Sequence, residues 1–123
     1  MIRTIAALGC AATLLIGGAA FAAYPIGGRW TYDNVSGEGP APSCGKRVME
    51  FGGDRRSDNE GGVHDYRNVT TFPIGTDTWR LTDEFFNGQI QGRVVYTLKR
   101  TGNDHIEIRM QMGGKTFRLR RCG

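Results

Sequence analysis

The sequence predicts an all-β domain, a single small antiparallel barrel of about seven to eight short strands with one disulfide. Three observations lead there. After residue 22 no window carries apolar residues at the three-and-four spacing of a helix. The same stretch alternates apolar and polar residues in short runs broken by glycine pairs and Asn-Gly or Gly-Asn steps. Two cysteines, Cys44 and Cys122, sit near its two ends. A chain with no helix to cover its sheet must close that sheet on itself or fold it as a sandwich.

Residues 1–22 read as a signal peptide. Arg3 is the only charge, Ile5 to Ala20 is apolar, and Ala20-Phe21-Ala22 presents small residues where a signal peptidase cuts. Ala7-Leu8-Gly9-Cys10 is a partial lipobox, but the apolar stretch before Cys10 is too short for a lipoprotein signal. Removal before Ala23 leaves one domain, residues 23–123, with no later segment apolar enough to span a membrane. The expected location is the bacterial periplasm or outside the cell.

Ala23 to Gly28 is marked by glycine and proline and reads as a flexible lead-in. Arg29 to Val35 is the first strand, with Trp30 and Tyr32 on one face, and Ser36 to Ser43 a loop. Lys46 to Phe51 is a short strand with Met49 and Phe51 inward. Gly52 to Gly62, holding Asp54, Arg55, Arg56, Asp58, Asn59 and Glu60, reads as a mobile polar loop that buries nothing. Val63 to Phe72 is a strand with Tyr66, Thr70 and Phe72 on one face, ended by Phe72-Pro73-Ile74-Gly75.

The second half is a cleaner meander. Thr78 to Thr82 turns Trp79 and Leu81 inward, and Asp83 to Gly92 is a connection whose Phe85, Phe86 and Ile90 need apolar cover. Arg93 to Arg100 turns Val94, Tyr96 and Leu98 inward. After a tight turn at Thr101 to Asp104, His105 to Met112 does the same with Ile106, Ile108, Met110 and Met112. Gly113-Gly114 makes a hairpin turn, and Lys115 to Arg121 closes the sheet with Phe117 and Leu119 inward.

Cys10 leaves with the signal, so Cys44 and Cys122 have one possible pairing. Charge is uneven. Residues 23–92 carry a net −3 and residues 93–123 a net +6, from Arg93, Lys99, Arg100, Arg109, Lys115, Arg118, Arg120 and Arg121 against two acids. Arg109, Lys115, Arg118 and Arg120 are the candidate surface for an anionic partner; an ordinary solvated strand face is the plainer reading of the same residues.

Catalytic signatures are missing from the sequence. It has neither a Gly-x-Ser-x-Gly elbow nor a His-Glu-x-x-His pair, and His64 and His105 have no neighbour at ligand spacing. Asp54, Asp58 and Glu60 do not match a calcium loop, and Met110 and Met112 read as core filler rather than a copper site. Tyr96 and Phe117 fall on the apolar face, which argues against nucleic-acid binding. Asn34-Val35-Ser36 and Asn68-Val69-Thr70 are formal glycosylation sequons, relevant only in a eukaryotic secretory pathway. No catalytic residue, metal or cofactor is expected.

Gly28-Arg29-Trp30, opening the first strand, resembles the Gly-x-Trp that begins the barrel in lipocalins and their calycin relatives. The resemblance implies that Trp30 closes one barrel end and that a basic residue of the last strand packs over it. Arg118, Arg120 or Arg121 would supply the cation–π contact, and Arg121 is assigned the role. Exported bacterial metalloprotease inhibitors are similar in size and in having one disulfide. That similarity implies insertion of the mature N-terminal segment, here Ala23 to Gly27, into a protease cleft. Exported lysozyme inhibitors are a further small-barrel class, but a basic protein suits a basic enzyme poorly. The expectation is thus a non-enzymatic periplasmic binding protein for an anionic or amphipathic ligand or envelope component, with protease inhibition as the alternative.

Overall fold

The structure is a computed structural model and describes residues 22–33, 39–60 and 62–123. The expected signal segment up to Phe21, Cys10 of the partial lipobox, the first sequon at Asn34 and the predicted end of the first strand at Val35 lie outside the described residues.

Eight antiparallel strands close into a barrel in simple sequence order. They are β1 (Gly28–Tyr32), β2 (Met49–Gly52), β3 (Arg55–Asp58), β4 (Asp65–Gly75), β5 (Thr78–Phe86), β6 (Gln91–Gly102), β7 (His105–Met110) and β8 (Thr116–Arg121). Each pairs with its chain neighbour, and β8 returns to β1, with Trp30, Thr31 and Tyr32 opposite Arg121, Arg120 and Leu119. Closure leaves no free sheet edge. Among the described residues there is no helix. The predicted alternation holds in β2, β6, β7 and β8. Met49, Phe51, Tyr96, Leu98, Ile106, Ile108 and Leu119 are buried, Val94, Met110 and Phe117 pack against them, and Leu81 of β5 joins the same core.

Five expectations are corrected. The stretch from Gly52 to Gly62 is not a mobile loop. Gly53-Asp54 is a two-residue turn, with Gly53 at φ 59, and β3 follows it immediately. Its alternation carries Arg56 and Asp58 into the barrel, where both are buried. Residues this polar look like loop because burial needs partners that lie far away in sequence.

In β4 a register shift between Asn68 and Thr70 changes which residues face in. Asn68 and Thr71 are buried, Phe72 is exposed, and the strand runs on through Pro73, opposite Trp79, to Gly75. β5 likewise continues through Asp83 to Phe86. Phe85 finds cover in an edge contact with Tyr66 at 5.8 Å, whereas Phe86 and Ile90 find none. Met112 is out of the core too: β7 ends at Met110 and the turn to β8 spans more than the two glycines.

The lead-in is not loose. Tyr24 and Ile26 are buried in the core; the Tyr24 amide donates to the Gly53 carbonyl (2.9 Å) and its ring meets the Phe51 ring edge-on at 5.1 Å. The segment folds back across the end of the barrel where β1 begins.

Cys44 and Cys122 are bonded, with Cα atoms 5.0 Å apart across a separation of 78 residues. The bond pins residues 39–47 as a strap over the outer face of β1 and β8, the seam where the barrel closes. The Ala41 amide donates to the Arg121 carbonyl (2.7 Å). The Thr31 hydroxyl donates to the Arg47 carbonyl (2.7 Å) and accepts from the Gly45 amide (3.0 Å). Outward-facing Thr31 and Arg120 are thereby buried.

Candidate functional site

The two barrel ends differ. At the end where β1 starts, Trp30 is fully buried and its indole N–H donates to the Gly27 carbonyl (3.1 Å). The Arg121 guanidinium lies over the indole, 4.5 Å from the ring centroid, and donates to Gly27 O (3.1 Å) and Asp104 Oδ1 (3.1 Å). Arg121 reaches this place because it sits opposite Trp30 in the β8–β1 ladder, where facing residues share a side of the sheet. Arg100 packs near Trp79 (5.8 Å) and donates to the Pro25 carbonyl (3.4 Å). This end is plugged.

At the other end the barrel holds a cavity of about 140 Å³, lined by Arg47, Met49, Arg56, Asp58, Tyr66, Val94, Tyr96, Ile108, Met110 and Phe117. Its wall is largely apolar and its floor is a buried polar network. Arg56 donates to Asp83 Oδ2 (2.9 Å), to which the Tyr96 hydroxyl also donates (2.7 Å). Asn68 donates to Asp83 Oδ1 (3.1 Å), and Thr71 donates to Asn68 Oδ1 (2.8 Å). The Arg56 guanidinium stacks on the Tyr66 ring at 3.8 Å. Asp83 is completely buried, and both of its carboxyl oxygens accept hydrogen bonds.

Electrostatics follow the same geometry. Burial works against the Arg56 charge, yet the oxygens of Tyr96, Asp83 and Tyr24 outweigh it and hold the pKa above its ordinary value. Burial, with the Asp83 charge second for Tyr24, pushes the Tyr24 phenol up; burial also raises Tyr66 and, strongly, Tyr96. All three phenols stay protonated at neutral pH; Tyr96 donates to Asp83, while Tyr66 and Tyr24 offer ring faces. The Tyr24 hydroxyl is buried with no hydrogen-bond partner among the described residues.

Arg47 stands at the mouth. Its Nε donates to Asp58 Oδ1 (3.1 Å) and Nη1 to the Tyr32 hydroxyl (2.7 Å), while the guanidinium lies over the Phe117 (4.9 Å) and Tyr32 (5.4 Å) rings. The hydrogen bonds with Asp58 raise its pKa. Lys115 is exposed on the other side of Phe117, 5.2 Å from the ring centroid. Beside the mouth a groove of about 390 Å³, lined by Arg93, Val94, Val95, Met110, Gln111 and Met112, shares Val94 and Met110 with the cavity.

The structure divides the predicted basic surface. Arg109 is exposed on the outer face of β7, and Lys115 lies in the turn leading to β8. Arg118 is exposed but forms an ion pair with Glu107 (3.2 Å) on the neighbouring strand. Arg120 is not on the surface: it is 4% exposed beneath the strap, and its Nε donates to the Gly39 carbonyl (2.8 Å). Disulfide anchoring of the strap, rather than strand alternation, removes it. His105 faces Asp33 at 3.6 Å, and His64 is exposed. Asp54 leans toward Arg55 (3.8 Å) and Asp58 is engaged by Arg47, so the acids considered for calcium are apart. Among the described residues no group of three His, Cys, Asp or Glu side chains could hold a metal ion.

The network of Arg47, Arg56, Asp58, Asn68, Asp83 and Tyr96 was missed in the sequence. One signal was available: Phe51, a glycine turn, then Arg56 and Asp58 two apart, the pattern of a hairpin strand with a polar inner face.

No protein-family model matches the chain, and no curated protein or solved structure matches it significantly.

Proposed function

We propose that this is an exported, non-enzymatic binding protein whose open barrel end takes a small amphipathic ligand with an anionic head. The observation that carries the reading is the cavity between Val94, Ile108, Met110 and Phe117, opening at the end opposite the Trp30–Arg121 plug. At about 140 Å³ it lies below the range of about 300–1,000 Å³ common for drug-sized ligands, so it suits a short alkyl chain or a single ring. Lys115, exposed at the mouth, and Arg93, largely exposed though 3.9 Å from Glu84, would meet an anionic head.

Export to an oxidising compartment, the periplasm in a bacterium, is supported by the disulfide of a small domain. The arginine over Trp30 supports a calycin-like reading of the barrel. The inhibitor alternative has less support. Tyr24 and Ile26, which it would send into a protease cleft, are used in the core.

Calorimetric titration with octanoate and octylammonium tests the proposal. Binding of octanoate in preference to octylammonium, lost in Val94→Trp and weakened in Lys115→Glu, is the expected result. Equal binding of the two amphiphiles, or binding untouched by Val94→Trp, would overturn it. Native mass spectrometry of protein taken gently from the periplasm would then give the mass of the natural ligand.

A further inference from the structure

The three most exposed large apolar side chains, Met112 at 90%, Phe86 at 68% and Ile90 at 58%, all sit at the open end of the barrel. They belong to two adjacent hairpins. Phe86 and Ile90 flank the β5–β6 connection and Met112 lies in the β7–β8 turn. β6 pairs with β7 only from Tyr96 onward, so the β5–β6 hairpin, paired out to Phe86 opposite Gln91, projects beyond β7. The groove of about 390 Å³ lies between the start of β6 (Arg93 to Val95) and the end of β7 with Gln111 and Met112.

Charge follows the same division. On the β5–β8 half of the rim stand Arg93, Arg109 and Lys115, all exposed. The acid there is Glu84, which pairs with both Arg67 (3.1 Å) and the largely exposed Arg93 (3.9 Å); the hydrogen bond from Arg67 draws its carboxyl below its ordinary pKa. The β1–β4 half carries Asp33, Glu60 and Asp65, with Lys46 exposed, Arg47 committed to Asp58 and Arg67 of β4 committed to Glu84. One half of the rim is therefore apolar and basic, and the other is mainly acidic.

We infer that the β5–β6 and β7–β8 tips are a membrane-docking surface, which inserts Phe86, Ile90 and Met112 into the interface of an anionic lipid bilayer with Arg93, Arg109 and Lys115 at the headgroups. Apolar side chains that reach past a ring of cations fit this partner, since insertion and headgroup attraction act together and either alone holds weakly. The acidic half of the rim sets the tilt by turning away from the lipid. Docking does not require the barrel cavity to be filled, so it stands apart from the ligand proposal.

The test is flotation of the purified protein with vesicles of phosphatidylcholine alone and with one third phosphatidylglycerol, at low and high salt. The protein should float with the anionic vesicles and stay behind with the neutral ones, and added salt should weaken the association. Phe86→Ser/Met112→Ser should reduce partitioning by at least about tenfold. Phe72→Ser/Ile74→Ser, on the exposed side of β4, should leave it unchanged, with circular dichroism checking the fold of both variants. No flotation, equal flotation with neutral vesicles, or equal loss in both variants would overturn the inference. So would sedimentation showing a dimer that the tip variant dissolves, since the tips would then cover a second copy of the chain. Loss of flotation with octanoate binding intact would remove the docking surface and leave the ligand proposal standing.

Discussion

The two ends of this barrel use the same device for opposite ends. At each, an arginine lies over an aromatic ring and is tied to an aspartate: Arg121 over Trp30 with Asp104, and Arg47 over Phe117 and Tyr32 with Asp58. At the Trp30 end the returning segment with Tyr24 and Ile26 fills the space beneath, and the arginine seals it. At the Arg47 end nothing among the described residues fills the space, and a cavity remains. An arginine on an aromatic ring is thus a lid, and what lies under it decides whether the lid covers a core or a site.

The layer between the ends is the place to break both. Asp83→Ala would leave the Arg56 guanidinium buried without its carboxylate and should cost about 3–5 kcal/mol in denaturant unfolding. Replacing the pair together, Arg56→Met with Asp83→Leu, should recover much of that loss, because no charge is then stranded. A double variant no more stable than Asp83→Ala would mean that packing, not charge, sets the cost.

Next in size is the seam. Cys44→Ser/Cys122→Ser should lower stability by about 2–4 kcal/mol, from release of the long closed loop. Hydrogen exchange should quicken first at Ala41 and Gly45, the strap amides bonded across the seam, and last in β6.

Arg121→Leu removes the plug's cation–π contact and two hydrogen bonds from a partly exposed site, so a loss of about 1 kcal/mol is expected. The open-end cavity should keep its octanoate affinity, because the two lids are independent. A fall in affinity would show the ends to be coupled.

Two smaller effects concern the tyrosines. Tyr24, Tyr66 and Tyr96 have folded-state pKa values above the ordinary phenol value. As pH climbs past about 10, the unfolded chain loses these protons first. Their contribution is therefore complete below that pH and falls away above it. Ultraviolet titration should show phenolate absorbance of these groups arriving with alkaline unfolding rather than before it. Tyr24→Phe deletes a buried hydroxyl with no partner and should be neutral or stabilising by up to about 1 kcal/mol.

How legible this was in the sequence depended on whether a residue's surroundings were local. The second-half strands could be read because Val94, Tyr96 and Leu98, then Ile106 and Ile108, alternate without interruption. β3 could not, since Arg56 and Asp58 become inner-face residues only when Asp83 and Arg47 come to meet them from 27 and 11 residues away. Phe72 was misplaced for a different reason: a register shift between Asn68 and Thr70 reverses the parity of the β4 residues that follow, up to a second shift after Pro73. Arg120 was misplaced because a strap covers an outward face.

The sequence alone determined the β class, the pairing of Cys44 with Cys122 and the inward rows of the C-terminal hairpins, since each follows from period-two patterning or from arithmetic. Tertiary structure alone decided that one barrel end is plugged and the other hollow, and that the chain's most polar stretch lines the interior. Both depend on charges meeting across the barrel, and an ion pair's burial is set by the distance between its partners in space, not in sequence.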